Sequence, residues 1–182
     1  TYFMHVPDGF INASVSAATG VISFGTLWAY IRSASSLIAN KFIALTGMMT
    51  ALIFVLQMIN FPVAAGTSGH LLGGALAVIV LGPRLGLICL SVVVIIQSLL
   101  FADGGLSALG INVMNMAIVT SVTAWVVVKY WIKFIGKTSS SLIIVSVLSG
   151  IVSVVFSSIA FMVQYIFCLL YTSPSPRDLR RS

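Results

Sequence analysis

Polar positions in this chain fall in short punctuating runs. Between them lie apolar stretches at about 12–31, 41–60, 69–82, 85–102, 109–131 and 141–170, rich in Ile, Leu, Val, Ala, Phe and Met. A helix crosses the hydrocarbon core of a bilayer with about 20 mostly apolar residues, and five of the six stretches are long enough to do so. The third is marginal: residues 71–81 are its only unbroken apolar run, a length that also fits a buried or re-entrant segment. Pro62, Gly66, Gly69, Gly73 and Gly74 surround it, which predicts an entry of irregular backbone. Such backbone survives at membrane depth only where protein or a polar cavity covers it.

Composition turns this pattern into a class. The chain is 59% hydrophobic and 7% charged, against roughly 45–50% and about 25% in soluble domains. Three Asp, no Glu and nine Lys or Arg cannot build a water-exposed surface over 182 residues. A soluble enzyme, a nucleic-acid binder and a disordered tail are excluded. The expectation is an all-α, polytopic transmembrane bundle of about six spans occupying residues 1–170. Cys89 and Cys168 lie in apolar runs without metal-ligand spacing and read as packing residues.

The net charge of +6 reads as topology. Arg32 and Lys41 flank the first connection, Arg84 marks the third, and Lys129, Lys133 and Lys137 surround the fifth. The amino-terminal segment and the second and fourth connections carry no Lys or Arg. By the positive-inside rule the amino terminus lies outside, together with His5, His70 and Asp103. From Tyr171 the composition changes to YTSPSPRDLRRS, and residues 171–182 look like translated adapter or vector sequence, with a disordered native tail as the alternative.

Few side chains remain to carry chemistry. His5 sits in Met4-His5-Val6-Pro7-Asp8-Gly9-Phe10, where Pro7 fixes φ and Gly9 permits a tight reversal, so residues 1–11 can fold back as a loop. His70 lies at the mouth of the short third stretch, in Gly66-Thr67-Ser68-Gly69-His70-Leu71-Leu72-Gly73-Gly74. A poorly hydrated setting there favours the neutral, metal-binding imidazole. Alone, each histidine also reads as an ordinary interfacial side chain. An amine, a deprotonated amide and imidazoles together would form a nitrogen array that suits Ni(II) and Cu(II) and accepts Co(II).

Three segments, MHVPDGFI, GTSGHLLGGALAVIVLGPRLGL and QSLLFADGGLSALGINVMNMAI, closely resemble the CbiM/NikM family, and the likeness runs from Met4 to about Val163. That family comprises substrate-capture membrane subunits of energy-coupling-factor transporters for cobalt and nickel. The resemblance implies a metal site made by Met4, His5 and His70. It also implies a partner ATPase, a coupling membrane subunit, a small accessory membrane protein, and a place in a prokaryotic cytoplasmic membrane. A cobalt member would feed cobalamin synthesis. Two departures stand out. Thr1-Tyr2-Phe3 precede Met4, which therefore offers an amide rather than a free amine, from upstream read-through or with an impaired site. Family members also continue into a further hydrophobic helix, so the bundle here reads as truncated at its carboxy terminus.

Asp8 and Asp103 could orient an imidazole N–H, or serve turns, since both precede glycine; the turn reading is favoured for Asp103. Asn112 and Asn115 share one face of the fifth helix and could support the metal loop or bridge helices. Gly136-Lys137-Thr138 mimics the end of a phosphate-binding loop, but Trp131 stands where that pattern needs glycine. The rival readings are a membrane-embedded metalloenzyme, a structural or assembly subunit without metal, and a vitamin-binding subunit of the same transporter class. The metalloenzyme lacks HExxH and paired carboxylates.

Overall fold

A computed structural model describes residues 5–34, 40–59, 61–62 and 68–172. Met4, residues 1–3 and the tail from 173 onward, on which several of these expectations fall, lie outside the described residues. The elements are α1 (Ala13–Ala34), α2 (Asn40–Met58), β1 (Phe61–Pro62), β2 (Ser68–Gly69), α3 (Gly74–Leu100), α4 (Leu109–Val113), a π-helical stretch (Met114–Val119), α5 (Thr120–Ile135) and α6 (Ser139–Thr172). α4, the π stretch and α5 run on as one rod, and α6 continues two residues past the boundary expected at 170.

Four helices are long and apolar enough to cross a membrane: Ala13–Ala34, Gly74–Leu100, Leu109–Ile135 and Ser139–Leu170. The chain is a multi-pass membrane protein. The count differs from the six expected stretches for two reasons. The apolar part of α2, Phe42–Met58, is shorter than a full span. The third and fourth stretches are joined in α3, which is not straight.

Gly82 adopts φ 79°, ψ 171° and is followed by Pro83, so the helical ladder breaks there and restarts on a residue that tolerates the first helical turn. A Cβ placed on Gly86 would lie 2.9 Å from the Ala77 carbonyl carbon. In an unbroken helix those residues would stand about 13 Å apart along the axis. α3 is therefore a folded-back pair of arms, 74–81 and 83–100. At the head of the short arm, Gly73 (φ 80°) fits against Ile53 and Leu90, where a Cβ would come within 2.8 Å of Ile53 Cγ2. The small residues at 73 and 86 thus serve close packing inside the chain.

The irregular entry to the short arm is covered. Gln57, fully buried on α2, donates from Nε2 to the Leu72 carbonyl at 2.8 Å, satisfying a backbone group that no helix pairs. At the opposite end, Arg84 reaches the Ser33 carbonyl at the end of α1 (3.5 Å). α3 touches α1, α2, α5 and α6, and its inner face forms the main core with Ile53, Val113 and Ala117. A second core of Ile11, Val15, Ala108, Ile111 and Cys168 seats the chain just before α1.

Hydroxyls tie the helices where backbones approach closely. Ser23 Oγ donates to the Gly110 carbonyl (2.7 Å) and Ser153 Oγ to that of Thr120 (3.1 Å). Ser157 Oγ donates to the carbonyl of Asn115 inside the π stretch (3.0 Å). Widened turns of this kind recur at functional sites, and here one lies in the wall of the cavity described next.

Candidate metal site

The segment before α1 folds back over the bundle, as Pro7 and Gly9 predict. Gly9 has φ 77°, and the Phe10 amide donates back to the Pro7 carbonyl (3.4 Å). The segment docks through three latches. Asn112 faces the Val6 backbone with both ends of its amide: the Val6 N–H donates to Oδ1 (3.0 Å) and Nδ2 donates to the Val6 carbonyl (3.1 Å). The Gly105 N–H donates to the same carbonyl (2.9 Å). Asp8 accepts from the Ser107 N–H (2.7 Å) and Oγ (2.6 Å), contacts that hold its carboxyl below the usual carboxylate range. Beyond the latches, the Phe10 ring stacks on Tyr165 of α6, centroids 5.5 Å apart.

This docking buries His5, which is 4% exposed. Its Nδ1 lies 2.8 Å from Asp103 Oδ1. The other ring nitrogen, Nε2, is buried without a hydrogen-bond partner among the described residues. Gly104 (φ 99°) makes room for the ring: a Cβ there would come 2.7 Å from His5 Cβ and 3.0 Å from Asn112 Nδ2. The hydrogen bond with His5 holds the Asp103 carboxyl below its ordinary value, against the opposing effect of partial burial.

His70 arrives on a different segment, just after a two-residue antiparallel pairing of Phe61 with Gly69 and Pro62 with Ser68. Its Nδ1 stands 2.9 Å from the Leu71 carbonyl. A carbonyl only accepts, so Nδ1 carries the proton and Nε2 keeps its lone pair. Desolvation holds the His70 pKa below the usual histidine value, outweighing the Leu71 carbonyl, with His5 nearby acting in the same direction.

The His5 and His70 rings have centroids 5.6 Å apart at an interplanar angle of 43°. A metal–nitrogen bond of about 2.0–2.1 Å puts an ion about 3.2 Å from each ring centre, so two imidazoles on opposite sides of one ion have centroids at most about 6.4 Å apart. The observed spacing lies inside that limit. Among the described residues, no three His, Cys, Asp or Glu side chains converge into a ready cage. The rings flank a cavity of about 680 Å³ lined also by Asn112, Asn115, Ser157 and Phe161. A larger groove of about 810 Å³ lies elsewhere, between α1, α2 and α3; its lining is almost wholly apolar and has no histidine or acid.

The sequence expectations thus sort themselves. His5 and His70 come together. Asp103 sits in the turn before Gly104-Gly105, its N–H donating to the Gln97 carbonyl, and its carboxylate adjoins His5. The acid that stitches loops is Asp8. Asn112 supports the histidine-bearing segment, whereas Asn115 bridges helices through a reciprocal amide pair with Gln164 (2.7 and 3.1 Å). Ser107, Gln57 and the Gly104-Gly105 cradle are not singled out by sequence reasoning. The Gly-Gly pair directly after an acid is a signal for the cradle, whereas Ser107 and Gln57 are marked only by their tertiary contacts.

Fold and site together define a multi-pass membrane protein in which a folded-back segment brings one imidazole, paired with a carboxylate, beside a second imidazole. A model of the CbiM family, described as the cobalt uptake substrate-specific transmembrane region, matches residues 5–175, and the chain belongs to that family. It is 47% identical over 116 residues to a chain of Archaeoglobus fulgidus named as a candidate fused nickel transport protein NikMN, covering 64% of this chain and 38% of that one. It is 36% identical over 131 residues to the cobalt transport protein CbiM of Roseiflexus sp. (strain RS-1), covering 70% and 52%. A crystal structure of a truncated transition metal transporter superposes with a TM-score of 0.77 at 26% identity, covering 88% of this chain and 73% of that chain. The chain thus spans about half or less of the length of these two relatives.

Proposed function

We propose that this chain is the substrate-binding membrane component of an energy-coupling-factor importer for Co²⁺ or Ni²⁺. The observation that carries the reading is the 5.6 Å approach of His5 and His70, two imidazoles from distant parts of the chain with lone pairs free for an ion. Removing water from a divalent cation is costly, so strong nitrogen donors must replace its hydration shell. Met4, His5 and His70 are the proposed ligands. Asn112 and the Asp8–Ser107 contact hold the ligand-bearing segment in place.

The bundle is proposed to cross the membrane six times, α2 included. The third pass is composite: irregular backbone at 71–73 followed by the short arm 74–81. The histidine rim faces outward and the ends carrying Arg32, Arg84 and Lys133 face the cytoplasm of a prokaryotic cell. Releasing a tightly held ion needs energy, supplied by a partner ATPase acting through a coupling membrane subunit, with a small accessory membrane protein in the assembly. Cobalt taken up this way feeds cobalamin synthesis. Titration of the purified chain with CoCl₂ or NiCl₂ should show one bound ion per chain, lost in both His5→Ala and His70→Ala. Undiminished binding in either variant rejects the site.

A further inference from the structure

We infer that the groove between α1, α2 and α3 holds an acyl chain of an anionic phospholipid, whose phosphate pairs with the Arg84 guanidinium at the mouth of the groove. The groove encloses about 810 Å³. It exists because α2 packs on α3 and hardly touches α1. Among the described residues, α1 contributes only Ile31 and Ala34, from its last turn, so the groove has three walls at one end and two beyond it. On α2 the lining runs from Phe42 to Phe54, a rise of about 18 Å. There the Phe54 and Phe101 rings meet, centroids 5.2 Å apart, and close the far end. The hydrocarbon core of a bilayer is about 30 Å thick. A spanning helix would need a face along that whole depth, whereas a groove a little longer than half of it suits a chain of one lipid leaflet.

The three-walled end is also the basic end. Arg84 directly precedes Leu85, which lines the groove, and its reach to the Ser33 carbonyl (3.5 Å) sets it across the mouth between α3 and α1. A guanidinium carries five N–H donors in a planar fork that matches phosphate oxygens, and Ser33 takes one of them at long range. Arg32 adds a second positive charge in the last turn of α1, its guanidinium 4.8 Å from the centre of the Trp28 ring. Trp28 is 60% exposed, and exposed tryptophans mark the headgroup level of a bilayer. Among the described residues the acids are Asp8 and Asp103, and both stand at the histidine end. Basic pockets between transmembrane helices recur as sites for anionic headgroups. An acyl chain gains little by leaving its neighbours for an equally apolar groove, so headgroup charge sets the preference and the groove sets where the lipid lies.

The test uses the full chain in detergent, with native mass spectrometry counting the lipid retained from phosphatidylglycerol and from phosphatidylcholine of identical acyl chains. Wild type should retain one phosphatidylglycerol with a preference of about tenfold or more. Arg84→Gln should cut that preference about fivefold, and Arg84→Lys, which keeps the charge, should retain most of it. A Cβ on Gly47 meets nothing within 4 Å, so Gly47→Leu fills the groove without displacing protein and should lose both lipids. Ala51→Leu, one turn further along the same lining, should do the same and preserves the test should Gly47→Leu not fold. Lys133→Gln, a charge outside the groove, should change nothing. Equal retention of the two lipids by wild type overturns the inference, as does phosphatidylglycerol retention unchanged in Arg84→Gln or in both groove variants. A loss in Lys133→Gln as large as in Arg84→Gln also overturns it, because the preference is then one of surface charge alone. Association with a second copy or another membrane subunit, abolished by the groove variants while lipid retention stays unchanged, assigns the groove to a protein helix and overturns it too. None of these outcomes bears on metal capture, which the histidine variants test separately.

Discussion

Asn112 offers the most direct test of how the histidine-bearing segment is held. Asn112→Ala removes both hydrogen bonds to the Val6 backbone. Each is worth a net of about 0.5–1.5 kcal/mol, and a buried donor left without a partner costs about 1–3 kcal/mol. The Val6 carbonyl keeps its bond from Gly105, so the unpaired group is the N–H alone. The combined loss is about 2–4 kcal/mol against docking, or about 30-fold to several hundred-fold in the docking equilibrium. Hydrogen exchange at the Val6 amide reads this directly, because docking protects that amide through the Asn112 side chain. Protection should fall by such a factor, and metal affinity should fall with it by no more than the same factor. Val6 protection within about threefold of wild type would refute the latch.

Three further outcomes follow from the geometry. Gln57→Leu strips the Leu72 carbonyl of its buried partner and should cost about 1–3 kcal/mol, read as a lower thermal unfolding midpoint; an unchanged midpoint would mean that another donor serves the irregular entry. Gly110→Ala drives a methyl group into the Gly20 backbone and should cost about 1–3 kcal/mol, whereas Gly20→Ala, whose Cβ meets nothing within 4 Å, is the control that should unfold near the wild-type temperature. The His70 pKa lies below 6.5 through desolvation, so its unfolded form binds the proton first as pH falls. Metal-free stability should hold above pH 6.5 and be lost as pH falls through the folded-state value. Thermal unfolding of the metal-free chain followed from about pH 8 to about pH 5 reads this, and a midpoint that stays level below pH 6.5 would contradict it.

Local patterning made most of the architecture legible. Long apolar runs announce membrane helices because the bilayer allows no other inexpensive way to bury a backbone. The glycine-rich approach to residue 74 predicted irregular structure, and Gln57 is found covering it. The break in α3 was half visible: Gly82-Pro83 marks an interruption, but the folding back of its arms depends on Gly86 meeting Ala77, a contact that no periodicity records. Both histidines stood out because ionisable side chains are scarce in so apolar a chain.

The division of labour among the polar residues was decided by tertiary structure. Asp8 and Asp103 each precede a glycine and look alike on the page, yet one is bound by Ser107 and the other touches His5. Asn112 and Asn115 lie one turn apart, and a widened π turn helps send one to the Val6 backbone and the other to Gln164. These contacts join residues separated by 106 and 49 positions. The sequence by itself determined that this is a multi-pass helical membrane protein with two histidines worth following. Only the packed bundle decided which acid and which amide stand beside them, because such pairings depend on where distant backbones meet and not on the local order of side chains.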